Sequence, residues 1–302
     1  MEHSEKITLI GVDLGGTKVA AAKVSDFKAG EIINKPVPAK SENPRDVINV
    51  VIDVIDTLFD HSVKGIGIGI PGLIDRKKGV VNDVQNIPSW KEVRLKEILE
   101  KRFLVPVYLD NDANCYALGE ARFGSGRGID DFVGITIGTG MGGGIIKNGF
   151  LLSDAHCGSG EFGNIPYLNS IYEDYCSGKF FIKNYGMKGE DLYSEALKGD
   201  SFALNIFNEF GKHLANAVKT VKLSLDPEMV IIGGSVAKAN LFFKTAMWKE
   251  LLNFPFPKAM EGFDVIFSDS KNIAVLGAAS LYYDRTGIGL PEKYIVQSLI
   301  NN

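Results

Sequence analysis

The fold is decided by one stretch of the sequence, Gly11-Val12-Asp13-Leu14-Gly15-Gly16-Thr17-Lys18. Short apolar runs flank it, and such runs on both sides of a glycine pair predict two strands joined by a β-hairpin turn. Glycines in a turn leave several backbone N–H groups open, and a phosphate can approach them closely because no Cβ atom intervenes. We therefore predict that the turn binds phosphate through Gly15, Gly16, Thr17 and Lys18.

Asp13 ends the first strand of this hairpin. A carboxylate at that place can hold a Mg²⁺ ion that accompanies the phosphates of a nucleotide, and we predict that Asp13 does so through water. The alternative is an ordinary glycine hairpin with a solvent-exposed aspartate, because short motifs often occur by chance.

A second stretch repeats the first. Gly134-Ile135-Thr136-Ile137-Gly138-Thr139-Gly140-Met141 aligns with it without a gap, so that Thr136 takes the place of Asp13. In both halves an amphipathic helix follows, at residues 44–60 after the cap Asn43 and with Pro44 first, and at residues 201–225, and then a strand that ends in a glycine turn. Two such halves predict a duplicated domain that holds one nucleotide between its copies, with phosphate contacts from Gly138, Thr139, Gly140, Gly233 and Gly234.

The composition is that of an ordinary globular protein, with 45% apolar and 23% charged residues in a chain of 302. A net charge of −4 leaves no basic footprint for nucleic acid, and no apolar run approaches the ~20 residues of a membrane span. The first residues do not read as a signal peptide, and three widely separated cysteines, Cys115, Cys157 and Cys176, suit a reducing compartment. We therefore expect a cytoplasmic protein that binds neither nucleic acid nor membrane.

Two further predicted strands end in candidate site residues. Gly65 to Ile70 alternates glycine and isoleucine, so a backbone or a ligand must approach its glycine face closely, and the turn Pro71-Gly72 follows. The strand 105–109 delivers Asp110-Asn111-Asp112-Ala113-Asn114, and a helix is predicted from about Ala113 to Phe123. This cluster is either a helix cap or a functional site. Because a cap needs only one such residue, we favour the functional site.

Other nucleotide-binding and catalytic motifs fit poorly. Gly138-x-Gly140-x-x-Gly143 matches the dinucleotide fingerprint, but that fingerprint requires a helix directly after the glycines, and a returning strand is predicted here. The sequence contains no G-x-x-x-x-G-K-[ST], no H-E-x-x-H and no G-x-S-x-G. P-loop enzymes, zinc proteases and α/β-hydrolases therefore find no support.

Together these motifs give a resemblance over almost the full length of the chain. It resembles the ROK family of sugar kinases and repressors, within the actin-like, hexokinase-like ATPase fold. Besides the two hairpins, the resemblance is carried by Asn86-Ile87-Pro88-Ser89-Trp90, Asn111 to Glu120, Gly160-Glu161-Phe162-Gly163 and Ile231-Ile232-Gly233-Gly234. Their order and spacing are far more specific than any one motif.

The resemblance implies an α/β fold of two related actin-like (ribonuclease-H-like) domains, each a mixed five-stranded sheet with flanking helices. We expect an N-terminal domain over residues 1–113, completed by the segment 287–302, and a C-terminal domain over residues 114–286. We also expect a homodimer.

The resemblance also implies roles for individual residues. Asp112 would be the general base for a sugar hydroxyl, with ATP and Mg²⁺ as cofactors. The substrate would be a hexose or an N-acetylhexosamine, bound by Gly72, Asn86, Asn111, Glu161, Asn164 and Glu173. The alternative is a non-catalytic sugar sensor on the same fold, without a DNA-binding domain because the first hairpin begins almost at the N-terminus. The presence of Asp13, Asp112 and both hairpins favours catalysis.

The chain departs from the family pattern around the predicted sugar contacts of its second half. Many members read Glu-x-Gly-His and then carry a zinc cluster, C-x-C-G-x-x-G-C-x-E. Here Asn164 stands where that histidine would be, and the cysteines ahead of Glu173 are missing. Because a closed zinc site needs four ligands, most of them Cys or His, we expect no structural zinc.

Overall fold

A computed structural model of the chain describes residues 7–26, 28–84, 86–154 and 156–286. The chain divides into two compact units. The first contains the residues up to Asp130, then Ile146–Ser159 and the residues from Ser270 onwards, and the second contains Asp131–Ile145 and Gly160–Asp269. Each unit contains one of the two predicted hairpins.

Strands and helices alternate through much of the chain, as expected for an α/β protein. The described residues form the strands β1 Thr8–Leu14, β2 Lys18–Ser25, β3 Lys28–Ala29, β4 Ile33–Pro36, β5 Val63–Ile70, β6 Leu73–Asp75, β7 Val80–Asn82, β8 Glu92–Val93, β9 Val107–Asn111, β10 Phe132–Ile137, β11 Met141–Lys147, β12 Phe150–Leu151, β13 Pro166–Tyr167, β14 Ser170–Ile171, β15 Met229–Gly233 and β16 Asp264–Phe267. They form the helices α1 Pro44–Leu58, α2 Leu95–Phe103, α3 Asp112–Phe123, α4 Tyr172–Cys176, α5 Gly178–Tyr185, α6 Gly189–Leu197, α7 Ser201–Leu225, α8 Asn240–Leu251 and α9 Ile273–Thr286.

The main sheet of the first unit has the order β3-β2-β1-β5-β9, and β4 also pairs with β2. Strands β1, β5 and β9 are parallel, whereas β2 returns antiparallel to β1 and forms the predicted hairpin. The sheet has six strands instead of the five predicted, because two short strands, β3 and β4, pair with successive parts of β2. The mixed topology agrees with the predicted fold class.

Helix α1 packs on this sheet through the apolar stripe that the sequence predicts. Val47, Val51 and Val54 are fully buried, and burial of each such side chain contributes about 1.5–3 kcal/mol. The Asn43 side chain caps the helix by accepting a hydrogen bond from the N–H of Arg45 at 3.1 Å, with proline at the first helical position.

The glycine face of β5 is covered by the backbone of helix α9. A Cβ atom at Gly67 would overlap the carbonyl oxygen of Ala278, and one at Gly65 would lie 2.6 Å from the ring of Tyr282. The close approach predicted for this strand is therefore made by another part of the chain, and α9 can lie flat on the sheet.

The predicted domain boundary at residue 113 needs correction. Helices α3 and α9, which were assigned to the C-terminal domain, belong to the first unit. They pack so closely that a side chain would not fit between them. A Cβ atom at Gly119 would overlap the carbonyl oxygen of Ile273, and a Cβ atom at Gly277 would overlap the carbonyl oxygen of Cys115. This pairing joins segments far apart in sequence, so no local signal marks it. The predicted contribution of residues 287–302 lies outside the described residues.

The sheet of the second unit centres on β10, β15 and β16, which are parallel. The full order is β12-β11-β10-β15-β16, with the five strands predicted, although β12 and the last residues of β11 belong to the segment Ile146–Ser159 that is grouped with the first unit. Helix α7 has the predicted bounds, and its stripe of Phe207, Leu214 and Val218 is buried. A 3₁₀ turn at Val236–Ala239 leads directly into α8.

In the part of the chain that the structure describes, no helix combines the length and the hydropathy needed to cross a bilayer.

Candidate active site

Three parallel strands of the first unit bring their carboxyl ends to one edge of the sheet. Asp13 of β1 pairs with Gly69 of β5, and Gly69 pairs in turn with Asp110 of β9. The residues that follow these positions, Gly72 after β5 and Asp112 after β9, therefore gather at the same edge. The sequence predicted each of them separately, and the strand register brings them together.

Asp112 is the first residue of α3, and its pKa is strongly perturbed. Burial, together with the negative charge of Asp13, raises the pKa of Asp112 to about 6, although a hydrogen bond from the N–H of Ala113 at 2.9 Å acts in the opposite direction. Burial also raises the pKa of Asp13, and the charge of Lys18 partly offsets this. Both carboxylates keep some solvent exposure, so they are recessed but open to a ligand. A carboxylate with a pKa near neutrality suits a general base.

Asn111 joins Asp112 to the turn after β5. Its Oδ1 accepts from the N–H of Ala113 at 2.9 Å and so caps α3, and its Nδ2 donates to the carbonyl oxygen of Gly72 at 3.2 Å. The side-chain amide still has one N–H and one lone pair available. Two predicted sugar contacts, Asn111 and Gly72, are therefore in direct contact.

The first hairpin is closed by a hydrogen bond from the N–H of Gly15 to the carbonyl oxygen of Lys18, at 2.9 Å. Thr17 and Lys18 are exposed at its tip. A Cβ atom at Gly16 would lie only 2.7 Å from the Cβ of Asn86. The absence of a side chain at Gly16 therefore lets the predicted phosphate hairpin contact a predicted sugar residue.

The second hairpin, in the second unit, is closed over one residue fewer. The N–H of Gly138 donates to the carbonyl oxygen of Gly140 at 2.9 Å, so that the residue aligned with Thr17, not the one aligned with Lys18, accepts this bond. Thr136 pairs with Gly233 of the neighbouring strand, and Gly234 then turns the chain with a φ of +100° beside Ile137. The glycine turn after β15 therefore lies next to the hairpin.

Glu173 of helix α4 supports this second hairpin directly. Its Oε2 accepts from the N–H of Met141 at 3.0 Å, and its Oε1 forms an ion pair with Lys179. A Cβ atom at Gly140 would lie 2.5 Å from Oε2. Glu173, a predicted sugar contact, therefore forms a hydrogen bond with the predicted phosphate hairpin of its own unit.

The junction between α4 and α5 adds two more hydrogen bonds to the second hairpin. The Oγ of Ser177 donates to the carbonyl oxygen of Thr139 at 3.2 Å, and the N–H of Gly178 donates to that of Gly138 at 2.7 Å. Sequence reasoning did not identify Lys179 or Ser177. The only available signal was Ser177 followed by Gly178, since that serine caps α5.

Glu161 and Asn164 lie at the two ends of a 3₁₀ turn, Phe162–Asn164. Their side chains are hydrogen bonded, with Asn164 Nδ2 donating to Glu161 Oε2 at 2.8 Å. The N–H of Tyr172 donates to the carbonyl oxygen of Ile165 at 3.0 Å, which ties this turn to helix α4. The three predicted sugar contacts of the second unit therefore lie on connected segments.

The possible zinc donors of the region do not fit a zinc ion. Among the described residues, no group of three or more His, Cys, Asp or Glu side chains is placed to hold a metal. The thiol of Cys157, in the first unit, donates to the carbonyl oxygen of Ile74 at 3.4 Å, and burial raises its pKa to about 12. Burial also raises the pKa of Cys176, in the second unit. Raised pKa values disfavour the thiolate that binds metal.

An aromatic cluster packs the segment between Asn164 and Glu173. The rings of Tyr167 and Tyr172 stack with centroids 4.3 Å apart, and the hydroxyl of Tyr167 lies 3.1 Å from Nδ1 of His213. The hydroxyl of Tyr172 donates to the carbonyl oxygen of Asn216 at 3.1 Å. These contacts fasten the β13–β14 hairpin and α4 to helix α7.

Comparisons with known proteins agree with this architecture. The model of the ROK family matches residues 9–285. A glucokinase of Thermotoga maritima is 33% identical over 93% of this chain and 99% of its own length, and an N-acetyl-D-glucosamine kinase of Yersinia pseudotuberculosis is 30% identical over 78% and 86%. The crystal structure of a ROK family glucokinase from Streptomyces griseus, in complex with glucose and AMPPNP, superposes with a TM-score of 0.79 at 27% identity, over 91% of this chain and 98% of that one. The chain therefore belongs to the ROK family, and it is a sugar kinase with the actin-like ATPase fold.

Proposed function

We propose that this sugar kinase transfers the γ-phosphoryl group of ATP to a hydroxyl group of a hexose or an N-acetylhexosamine, with Asp112 as the general base. The observation that carries the proposal is the position of Asp112 beside Asp13, at the carboxyl edge of the first sheet, with its pKa raised to about 6. The similarity to a glucokinase and to an N-acetyl-D-glucosamine kinase supports this substrate class.

In this mechanism Asp112 accepts the proton of the sugar hydroxyl as the hydroxyl oxygen attacks the γ-phosphorus in line. The bond from that phosphorus to the bridging oxygen breaks, and ADP leaves. At pH 7 a base with a pKa of about 6 is largely ionised and can accept the proton. Asn111 keeps one N–H and one lone pair free, so it can orient the sugar while it holds Gly72.

Asp13 fits the role of a Mg²⁺ residue. Its carboxylate is recessed and lies close enough to Asp112 for its negative charge to raise the pKa of Asp112. Mg²⁺ prefers oxygen ligands and keeps several waters, so Asp13 would hold it through water. The ion would neutralise negative charge on the transferring phosphate.

The backbone N–H groups of the two glycine hairpins would bind the phosphates of ATP. Little covalent chemistry is required of the protein in phosphoryl transfer, so positioning and charge stabilisation dominate. In the second unit, Glu161, Asn164 and Glu173 would contact the sugar. AMPPNP in the related glucokinase structure supports ATP as the phosphoryl donor.

The proposal is tested by a coupled assay of ADP release across a panel of hexoses and N-acetylhexosamines, with MgATP. ADP is expected only when MgATP and one of these sugars are both present. If a sugar binds calorimetrically but no sugar stimulates ADP release, the protein is a sugar sensor and the proposal fails.

A further inference from the structure

Asp110 is a fully buried carboxylate that the proposed mechanism does not use. It lies at the end of β9, two residues before the proposed base. Arg76 binds it with two nitrogens, Nε to Oδ2 at 2.8 Å and Nη2 to Oδ1 at 3.0 Å. Arg285 donates to the same carboxylate from Nη2 at 2.5 Å. Two-nitrogen binding of this kind fixes the orientation of a carboxylate as well as its charge.

The same carboxylate holds the residues on both sides of Asp112. Oδ1 of Asp110 accepts from the N–H of Asn111 and from Nδ2 of Asn114, each at 2.8 Å. The first of these residues caps α3, and the second lies in its first turn. The orientation of Asp110 therefore sets the position of the turn that carries Asp112.

Arg76 also reaches a second carboxylate through Nη1, which donates to Asp154. Asp154 accepts from the N–H of Cys157 at 3.0 Å and from the N–H of Ser159 at 2.7 Å. The chain enters the second unit directly after Ser159. Arg76 therefore connects the end of β9 to the segment that leads out of the first unit.

Charge neutralisation alone does not explain Arg76. Arg285 brings a positive charge to Asp110 as well, and it also faces Asp284 at 3.8 Å. Arg76 likewise faces two carboxylates, Asp110 and Asp154, so it is not the only positive charge beside Asp110. What Arg76 adds is its planar geometry, which lysine does not share.

We infer that Arg76 is a positioning residue, which orients the Asn111-Asp112 pair through Asp110 and at the same time fixes the segment Asp154–Ser159. The inference rests on the proposed function, because it assigns Asp112 the role of base. Arg76 itself contacts no reacting atom in this scheme.

The test compares Arg76→Lys and Arg76→Ala with the matched controls Arg102→Lys and Arg102→Ala. Arg102 forms an ion pair with Asp56 at 2.8 Å in the same unit, but that pair is largely exposed. We expect Arg76→Lys to lower kcat/KM for the sugar by about tenfold and Arg76→Ala by about a hundredfold, with KM for ATP within about twofold of the parent. Added guanidinium should restore part of the activity of Arg76→Ala. The Arg102 variants should stay within about twofold.

Hydrogen exchange measured by mass spectrometry provides a readout that does not depend on activity. Peptides covering 107–116 and 152–161 should exchange faster in Arg76→Lys and not in Arg102→Lys. Wild-type kinetics and exchange in both Arg76 variants would overturn the inference, and so would an equal rise in KM for sugar and ATP accompanied by general unfolding. If the wild-type protein shows no sugar-dependent ADP release, the proposed function fails, and the exchange result alone decides whether Arg76 fixes both segments.

Discussion

The two glycine hairpins share a sequence pattern, but the hydrogen bonds that close them and their surroundings differ. The first has charged residues of its own, with Asp13 before the turn and Lys18 after it. The second has no charged residue among its eight aligned positions, and Thr136 replaces the aspartate. Its charged neighbours come from another segment, because Glu173 and Lys179 support it from helices α4 and α5. The charged residues beside the first hairpin therefore belong to the hairpin itself, whereas those beside the second come from two helices.

One feature is common to both hairpins. In each unit a glycine of the hairpin touches a predicted sugar contact, Gly16 against Asn86 and Gly140 against Glu173. A side chain at either glycine would displace that neighbour. The difference between the hairpins therefore concerns charge, whereas both place a glycine of the proposed phosphate site against a proposed sugar contact.

The largest effect is expected at Asp112, whose pKa is raised by the charge of Asp13 in the first hairpin as well as by burial. Asp112→Asn keeps the shape of the side chain but cannot accept the proton, so kcat should fall by ~10²–10⁴. Affinity for the sugar, measured by calorimetry, should change much less because the amide keeps a carbonyl acceptor. The matched control is Asp53→Asn, which should leave kcat unchanged. Asp53 is an exposed residue of helix α1 and forms an ion pair with Lys35. Near-normal turnover in Asp112→Asn would remove it from the role of base.

The dependence of kcat/KM on pH tests whether the negative charge of Asp13, in the first hairpin, raises the pKa of Asp112. The base must be ionised, so kcat/KM should fall tenfold per pH unit below a pKa of about 6. Asp13→Asn removes a negative charge that raises this pKa, so the acid limb should move to lower pH even though the maximal rate is reduced. Thr136→Val, at the matching place in the second hairpin, should not move the limb. An unmoved limb in Asp13→Asn would mean that burial alone perturbs Asp112.

Smaller effects are expected from Gly16→Ala and Gly140→Ala. The new methyl group would press on Asn86 in the first case and on Glu173 in the second. Each variant should raise KM for ATP and KM for the sugar together, by about tenfold, because both kinds of contact shift. Gly30→Ala, where the nearest atom would be 3.4 Å away, is the control. A change confined to ATP would show that the glycines serve phosphate binding alone.

The smallest effect is expected from chelation. The segment next to the second hairpin is held by Tyr167, Tyr172 and His213, and burial raises the pKa of the Cys157 and Cys176 thiols. Activity should therefore return fully when Mg²⁺ is restored after chelator treatment. Elemental analysis of untagged protein provides the second measurement, and one zinc per chain would contradict the expectation.

Much of the fold can be predicted from the sequence because the patterns that indicate it lie within short stretches of the chain. The glycine pair predicts the first hairpin, the repeat predicts the second, and apolar periodicity predicts the bounds of α7. Asn43 and Pro44 mark the start of α1 in the same way. The three-stranded sheet β6-β7-β8 was not predicted, because strands of two or three residues are too short to show alternation.

The sequence predicted residues of the candidate site but not the side chains that hold them in place. Asn111 and Asp112 stand out because polar residues follow a buried strand. The partners of their neighbour Asp110 do not stand out, since Arg76 and Arg285 come from distant segments and an isolated arginine has no periodic pattern. The support of Gly140 by Glu173 was missed for the same reason. Pairings across the sequence depend on the tertiary fold, and one sequence alone does not encode them visibly.

Helix α9 leaves the ribosome after every strand that it covers. Its backbone rests on Gly11 of β1 and Gly67 of β5, near the other end of the chain. The described residues of the second unit, by contrast, are all synthesised before α9. The first unit therefore keeps part of its sheet uncovered while the second can already fold, which is the situation in which nascent chains misassemble or recruit chaperones. The sheet of the first unit can therefore be fully covered only after the described residues of the second unit have been synthesised.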